Sequence, residues 1–174
     1  MENLKEKVRV VPDFPKKGIS FKDITTLLKD KEAYHYTIKE LAKGLKDIDL
    51  VVGPEARGFV IGAPLAYELY AGFVLVRKPG KLPADTIRYE YELEYGVDAL
   101  EIHKDAILPG QRVVIADDLL ATGGTAYSVA KLVRSLGAEV VAMRFVMELT
   151  DLGGRERLKE FKHCDIKSLI QYDH

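Results

Sequence analysis

A chain of 174 residues with 26 Lys and Arg against 27 Asp and Glu carries a net charge of −1, which excludes a generally basic nucleic-acid coat but not a local basic patch. Its length predicts one domain spanning 1–174, and its 47% apolar and 30% charged composition is that of a globular fold. One cysteine, Cys164, no apolar run of membrane-helix length and no signal-peptide core in MENLKEKVRVV together predict a reducing, cytoplasmic setting, without a disulfide framework, a cysteine-based zinc site or a membrane partner.

In chain order, 10–28 has two prolines, a glycine and no period, and reads as an irregular hood. Asp30 is a candidate cap for a helix whose apolar face is Ile38, Leu41, Ala42 and Leu45. A short apolar run at 48–53 predicts a strand, and 56–69, apolar nearly all round, predicts a buried helix. The run at 72–77 predicts a second strand. Residues 78–104 open with the loop signal KPGKLP. Thr86, Arg88, Glu90, Glu92 and Glu94 then alternate with Ile87, Tyr89, Tyr91, Leu93 and Tyr95, the period of a half-buried strand with one charged face. After a turn near Gly96, DALEIHKD forms the returning arm, so the hairpin is expected to project as a lid. Further strands are expected at 111–117, 138–146 and 165–170, with a helix carrying Val129, Leu132, Val133 and Leu136 that stops at Gly137. Strands alternating with helices predict an α/β fold with a mainly parallel twisted sheet of about five strands flanked by helices.

The chemistry concentrates in 113–125, VVIADDLLATGGT. A buried strand delivers Asp117 and Asp118 at its C-terminal end, where ligands bind in open α/β sheets. Ala121, Thr122, Gly123, Gly124 and Thr125 then open a helix whose free N–H groups suit a phosphate. Two adjacent acids repel a bare phosphate and suit a polyol or a metal. Acids beside a phosphate cradle describe a sugar phosphate. The loop has neither the Gly-Lys-Ser/Thr of a P-loop nor the G-x-G-x-x-G spacing.

This segment resembles the phosphoribosyl-pyrophosphate signature of type I phosphoribosyltransferases, and its ending LLATGGT resembles the form in the family's adenine-specific branch. FPKKGISFKDIT at 14–25, PEARGF at 54–59, RKPGKLP at 77–83, YELEYG at 91–96, LEIHKDA at 100–106 and MELTDLGGRERL at 147–158 are similar to that branch's landmarks, in order. The resemblance implies a type I phosphoribosyltransferase-like fold. It also implies purine salvage by transfer of phosphoribosyl from 5-phosphoribosyl 1-pyrophosphate to adenine, giving AMP and pyrophosphate. Mg2+ bound mainly through the donor's pyrophosphate and a homodimer follow from the same source.

The resemblance assigns Asp117 and Asp118 to the ribose hydroxyls, 121–125 to the 5-phosphate, and Arg57, Arg77, Lys78 and Lys81 to pyrophosphate, with Arg77 reaching across the dimer. Read without it, Arg57 is equally a surface helix arginine and the 77–81 cations a solvated cluster. The base falls to Ser20, Phe21, Lys22 and Leu149, although Phe21 and Leu149 also fit a core, and Lys22 stands where many relatives carry Arg. Pro54 replaces an expected aliphatic residue. Glu94, with Arg57 the expected catalytic pair, ends the acidic face of its strand, where a solvated edge is the plainer reading. A purine- or donor-sensing regulator, or an enzyme for hypoxanthine, guanine or xanthine, remains an alternative.

Overall fold

The computed structural model describes residues 3–93 and 96–173. A 3₁₀ turn at Leu4–Lys7 precedes β1 (Arg9–Val11), β2 (Phe21–Asp23), α1 (Thr25–Leu28), α2 (Lys31–Ala42), β3 (Leu50–Pro54), α3 (Arg57–Glu68) and β4 (Gly72–Val76). There follow β5 (Thr86–Leu93), β6 (Gly96–His103), β7 (Arg112–Leu120), α4 (Gly124–Ser135), β8 (Glu139–Leu149), α5 (Gly154–Arg157) and β9 (Asp165–Tyr172). Five strands form one sheet in the order β4-β3-β7-β8-β9, every neighbouring pair parallel. This is the expected α/β architecture.

Alternate residues of each strand serve opposite faces. Val51, Val114 and Ala116 pack with Leu41 of α2 and with Ile61 and Leu65 of α3. Val52, Val113 and Ile115 pack with Val129, Leu132 and Val133 of α4. A sheet covered on both sides needs the near-continuous apolar runs seen in the sequence. Each such buried side chain contributes roughly 1.5–3 kcal/mol. The Asp30 carboxylate caps α2 by accepting from the Glu32 and Ala33 amides, both at 3.1 Å. Gly137, at φ +84°, turns the chain after α4.

Four features differ from the expectations. β7 continues through Asp117 and Asp118 to Leu120, and β8 to Leu149, because each strand still finds a partner: Leu120 pairs with Glu148, and Glu148 with Gln171. The irregular 10–28 segment contains β2, which pairs antiparallel with β1. The helix at 57–68 is not buried all round. Gly58, Ile61, Gly62, Leu65 and Ala66 are covered, while Val60 is 40% and Tyr67 89% exposed, and Tyr70 just beyond the helix is 100% exposed. The sheet and α2 cover two sides of α3 only.

The hairpin is the fourth difference. β5 and β6 pair antiparallel, with Arg88 opposite Glu101. Their shared face, Ile87, Tyr89, Leu100 and Ile102, joins the core cluster that contains α4. A backbone bridge between Arg77 and Glu101 ties β6 to the end of β4. The hairpin therefore lies on the body rather than standing off it, because a free hairpin would expose this apolar face.

Candidate active site

The C-terminal edge of the sheet gathers the chemistry. Asp117 and Asp118 sit side by side near the end of β7, and the Asp117 carboxylate accepts from the Asp118 amide at 2.8 Å. The Asp118 side chain is 5% exposed and takes the Arg57 Nε–H. Burial, and then the neighbouring Asp118 carboxylate, push the Asp117 carboxyl well above the usual carboxylate range, while the Arg57 guanidinium pulls it back. Gly58 makes this approach possible: a Cβ there would meet Pro54 Cδ at 2.6 Å and Asp117 Oδ1 at 3.2 Å.

The raised Asp117 carboxyl has a consequence for stability. Such a group binds more protons folded than unfolded, so stability falls as pH rises through the window from its unfolded pKa to the higher folded one. Asp117→Asn should thus melt above the wild type at neutral pH, at about 2–4 °C per kcal/mol for a chain of this size. The gain should shrink as pH falls toward about 4, where the unfolded carboxyl also protonates. Melting curves of the two proteins across pH check this, and a neutral-pH variant that melts lower contradicts it.

After β7 the loop 121–123 leads into α4. Gly123 holds φ +81° at the N-cap, and no side chain caps the helix. The first N–H groups of α4 therefore have no partner within the helix and point at whatever binds there. Arg57, Asp117, Asp118 and the loop through Ala126 line a cavity of about 170 Å³. A larger depression of about 340 Å³, lined by Lys5, Tyr36, Glu40 and Gln171 among others, holds none of these groups. The segment leading into α5 supports the loop from behind. A Cβ on Gly154 would lie 2.4 Å from Ala121 O, and one on Gly123 2.8 Å from Gly154 O.

The cationic loop begins where β4 ends. The Glu55 carboxylate accepts from Lys78 N–H at 2.8 Å and from Arg77 Nε–H at 3.2 Å, and these contacts hold it below the usual glutamate range. The Lys78 ammonium is paired with Asp98 of β6, which also accepts from the Tyr91 hydroxyl at 2.9 Å. Lys81 is exposed. The cations at 77 and 78 thus have carboxylate partners within the chain.

On the other side of Arg57, its guanidinium lies 5.6 Å from the centre of the Phe21 ring. Phe14 meets the same ring edge-on at 5.3 Å. Phe21 is half-buried and belongs to neither core cluster. Lys22 turns away from this ring: its ammonium donates to Ser20 Oγ at 2.7 Å and lies 5.1 Å from the Tyr172 ring. Tyr172 is opposite Leu149 in the β8–β9 register, so Ser20, Lys22 and Leu149 share one corner of the sheet edge. Glu94 lies outside the described residues. Cys164 packs against the core, and burial pushes its thiol up to about 12, which disfavours any nucleophilic role.

Comparison with known proteins fits this geometry. Residues 19–173 match the phosphoribosyl transferase domain. The chain belongs to this family. It is 64% identical over 173 residues to the adenine phosphoribosyltransferase of Clostridium tetani (strain Massachusetts / E88), covering 98% of this chain and 99% of the relative. The crystal structure of adenine phosphoribosyltransferase from Thermoanaerobacter pseudethanolicus superposes with a TM-score of 0.92 at 62% identity, covering 98% and 99% of the two chains. The Saccharomyces cerevisiae enzyme, solved with an imino-altritol bisphosphate and adenine, gives 0.86 at 40% identity, covering 95% and 96%.

Within this phosphoribosyl transferase domain, three carboxylates and a glycine were not legible as site residues. Glu55, Asp98 and Glu101 hold the cationic loop, and Gly154 backs the loop 121–123. Each stands in or beside a stretch that resembles the family. Their roles depend on contacts across distant segments, and no spacing within one element signals such contacts.

Proposed function

We propose that the protein transfers the phosphoribosyl group of 5-phosphoribosyl 1-pyrophosphate to adenine, giving AMP and pyrophosphate in purine salvage. The observation that carries this reading is the single cavity edge where Asp117, Asp118, the uncapped start of α4 and Arg57 meet. Relatives named for the same activity match over nearly the whole chain.

In this reading the roles are those that the family resemblance implies, and the meeting of Arg57, Asp117, Asp118 and the start of α4 at one cavity supports them. The 5-phosphate sits on the N–H groups of 121–125, with Thr122 and Thr125 adding hydroxyls. Asp117 and Asp118 accept from the ribose hydroxyls, and their charge favours the cationic character that develops at C1. Arg57, Arg77, Lys78 and Lys81 take the pyrophosphate, a planar guanidinium suiting it best. As the C1–O bond breaks, its electron pair leaves with pyrophosphate. Adenine N9 forms the new bond to C1, and its proton passes to Glu94. The base rests between Phe21 and Leu149, with Ser20 and Lys22 at its polar edge. The 10–28 hood and the 78–104 hairpin exclude water that would hydrolyse the activated sugar. Mg2+ would be held mainly through the donor's pyrophosphate, where it would neutralise charge on the departing oxygens.

The test is purified protein with Mg2+, the donor and adenine, reading AMP and pyrophosphate. A regulator that only senses donor or purine would bind both and release no AMP. Asp117→Asn and Asp118→Asn should each reduce donor use by about 1.5–3 kcal/mol, the worth of a charge-assisted hydrogen bond. Unchanged donor kinetics in both variants would remove the ribose assignment.

The protein works as a cytoplasmic homodimer in this reading. No helix among the described residues is long and apolar enough to cross a membrane. The face of α3 that carries Val60 and Tyr67, with Tyr70 beside it, is the exposed apolar surface a second copy would cover. Sedimentation at micromolar concentration should show a dimer, and Tyr67→Glu should shift it toward monomer. A fully active wild-type monomer rules the dimer out.

A further inference from the structure

We propose that Glu101 is a positioning residue for the donor: it latches the 77–81 loop to the hairpin so that the loop's cations are held ready for pyrophosphate. The proposal rests on the reading that this loop binds pyrophosphate.

Glu101 lies on the outer face of β6, opposite Arg88 of β5 and away from the apolar face that carries Leu100 and Ile102. An acid on a hairpin's outer face is ordinarily solvated. This one is 7% exposed at its side chain, and both of its oxygens are used. Oε1 accepts from Arg88 Nε–H at 3.1 Å and from Nη2–H at 2.9 Å. Oε2 accepts from Gly80 N–H at 3.1 Å. Its backbone exchanges two further bonds with Arg77: Arg77 N–H to Glu101 O at 3.0 Å, and Glu101 N–H to Arg77 O at 2.8 Å. Glu55 grips the start of the same loop through Lys78 N–H and Arg77 Nε–H. Three carboxylates, Glu55 from the turn before Arg57 and Asp98 and Glu101 from the hairpin, thus hold a loop otherwise free at Gly80, where a Cβ would meet nothing within 4 Å. Removing the Glu101 side chain leaves Glu55 and Asp98 on Arg77 and Lys78 but releases the Gly80 N–H, and with it the end of the loop that carries Lys81. A cation that must find its place after binding contributes less than one already in place.

The test uses the full chain. Initial rates are measured against donor and against adenine separately, with a melting curve for each variant. Glu101→Ala should raise KM for the donor about tenfold or more, leaving KM for adenine within about twofold. Glu101→Gln, which keeps an acceptor for Gly80 N–H, should recover most of the loss. Lys81→Ala tests the underlying reading, and in its background Glu101→Ala should add less than it does alone, because both act through one loop. A raised donor KM in Lys81→Ala with an unchanged one in Glu101→Ala overturns the latch and spares the loop assignment. An unchanged donor KM in Lys81→Ala overturns the loop assignment, and the latch with it. Equal damage to both KM values, together with a lowered melting temperature, makes Glu101 a support of the fold and refutes the proposal. Should Glu101→Ala fail to fold, Glu101→Asp against Glu101→Gln reads the same donor KM, and the shorter acid should show the larger rise.

Discussion

Hypoxanthine should serve as acceptor about 10⁴-fold less well than adenine in kcat/KM, the discrimination available to a site whose polar groups are left mismatched. In the reading that places the base at Ser20, Phe21 and Lys22, the reason is the backbone of β2. It pairs on one edge with β1, Val10 opposite Lys22 and Val11 opposite Phe21. In an antiparallel ladder, neighbouring residues alternate between bonding the partner and facing away from it. Along Phe21–Asp23, an N–H and a C=O of one residue or its neighbours therefore face the open edge together. Adenine offers that edge an acceptor at N1 and a donor at its 6-amino group. Hypoxanthine reverses both. A backbone amide cannot turn to suit it, so donor meets donor and acceptor meets acceptor. Parallel assays with the two bases decide this. Comparable turnover would mean that the base is read by groups that rotate, such as the Ser20 hydroxyl.

Glu94→Gln should lower kcat by at least about tenfold and by as much as 10²–10⁴, the usual worth of general base help. Glutamine keeps the shape and cannot take the N9 proton. The acid limb of the kcat–pH profile should vanish with it. Glu90→Gln is the natural control. Its carboxylate lies 3.6 Å from Arg88, with 61% of the side chain exposed, and should do little for the reaction. Glu92→Gln, on the same face of the period-two pattern, should behave like Glu90→Gln. Three variants with the same kcat and the same pH profile would make Glu94 another surface acid.

The parallel sheet was readable because its strands are buried on both faces and announce themselves as apolar runs. The strand-loop-helix unit that lines the cavity was readable because its parts are contiguous: strand, two acids, Thr-Gly-Gly-Thr and the helix start all lie within 113–125. The reading failed where burial depends on what lies across space. The helix at 56–69 looked apolar nearly all round, yet among the described residues the sheet and α2 leave Tyr67 of α3 outside. β2 was hidden because a three-residue strand has no room to show a period. Glu101 drew no reading at all, because only the return of the 77–81 loop over it makes it a buried charge.

Cys164 offers a practical opening. Burial pushes its thiol up to about 12, so very little of it is the reactive thiolate at neutral pH. The chain has no other cysteine. A thiol introduced on the hairpin, at the 65% exposed Val97 for example, would react almost alone with a maleimide dye or a spin label, with no background residue to remove first. Distances from that label to a second one near Arg57 would then show whether the hairpin stays on the body or moves during a turnover.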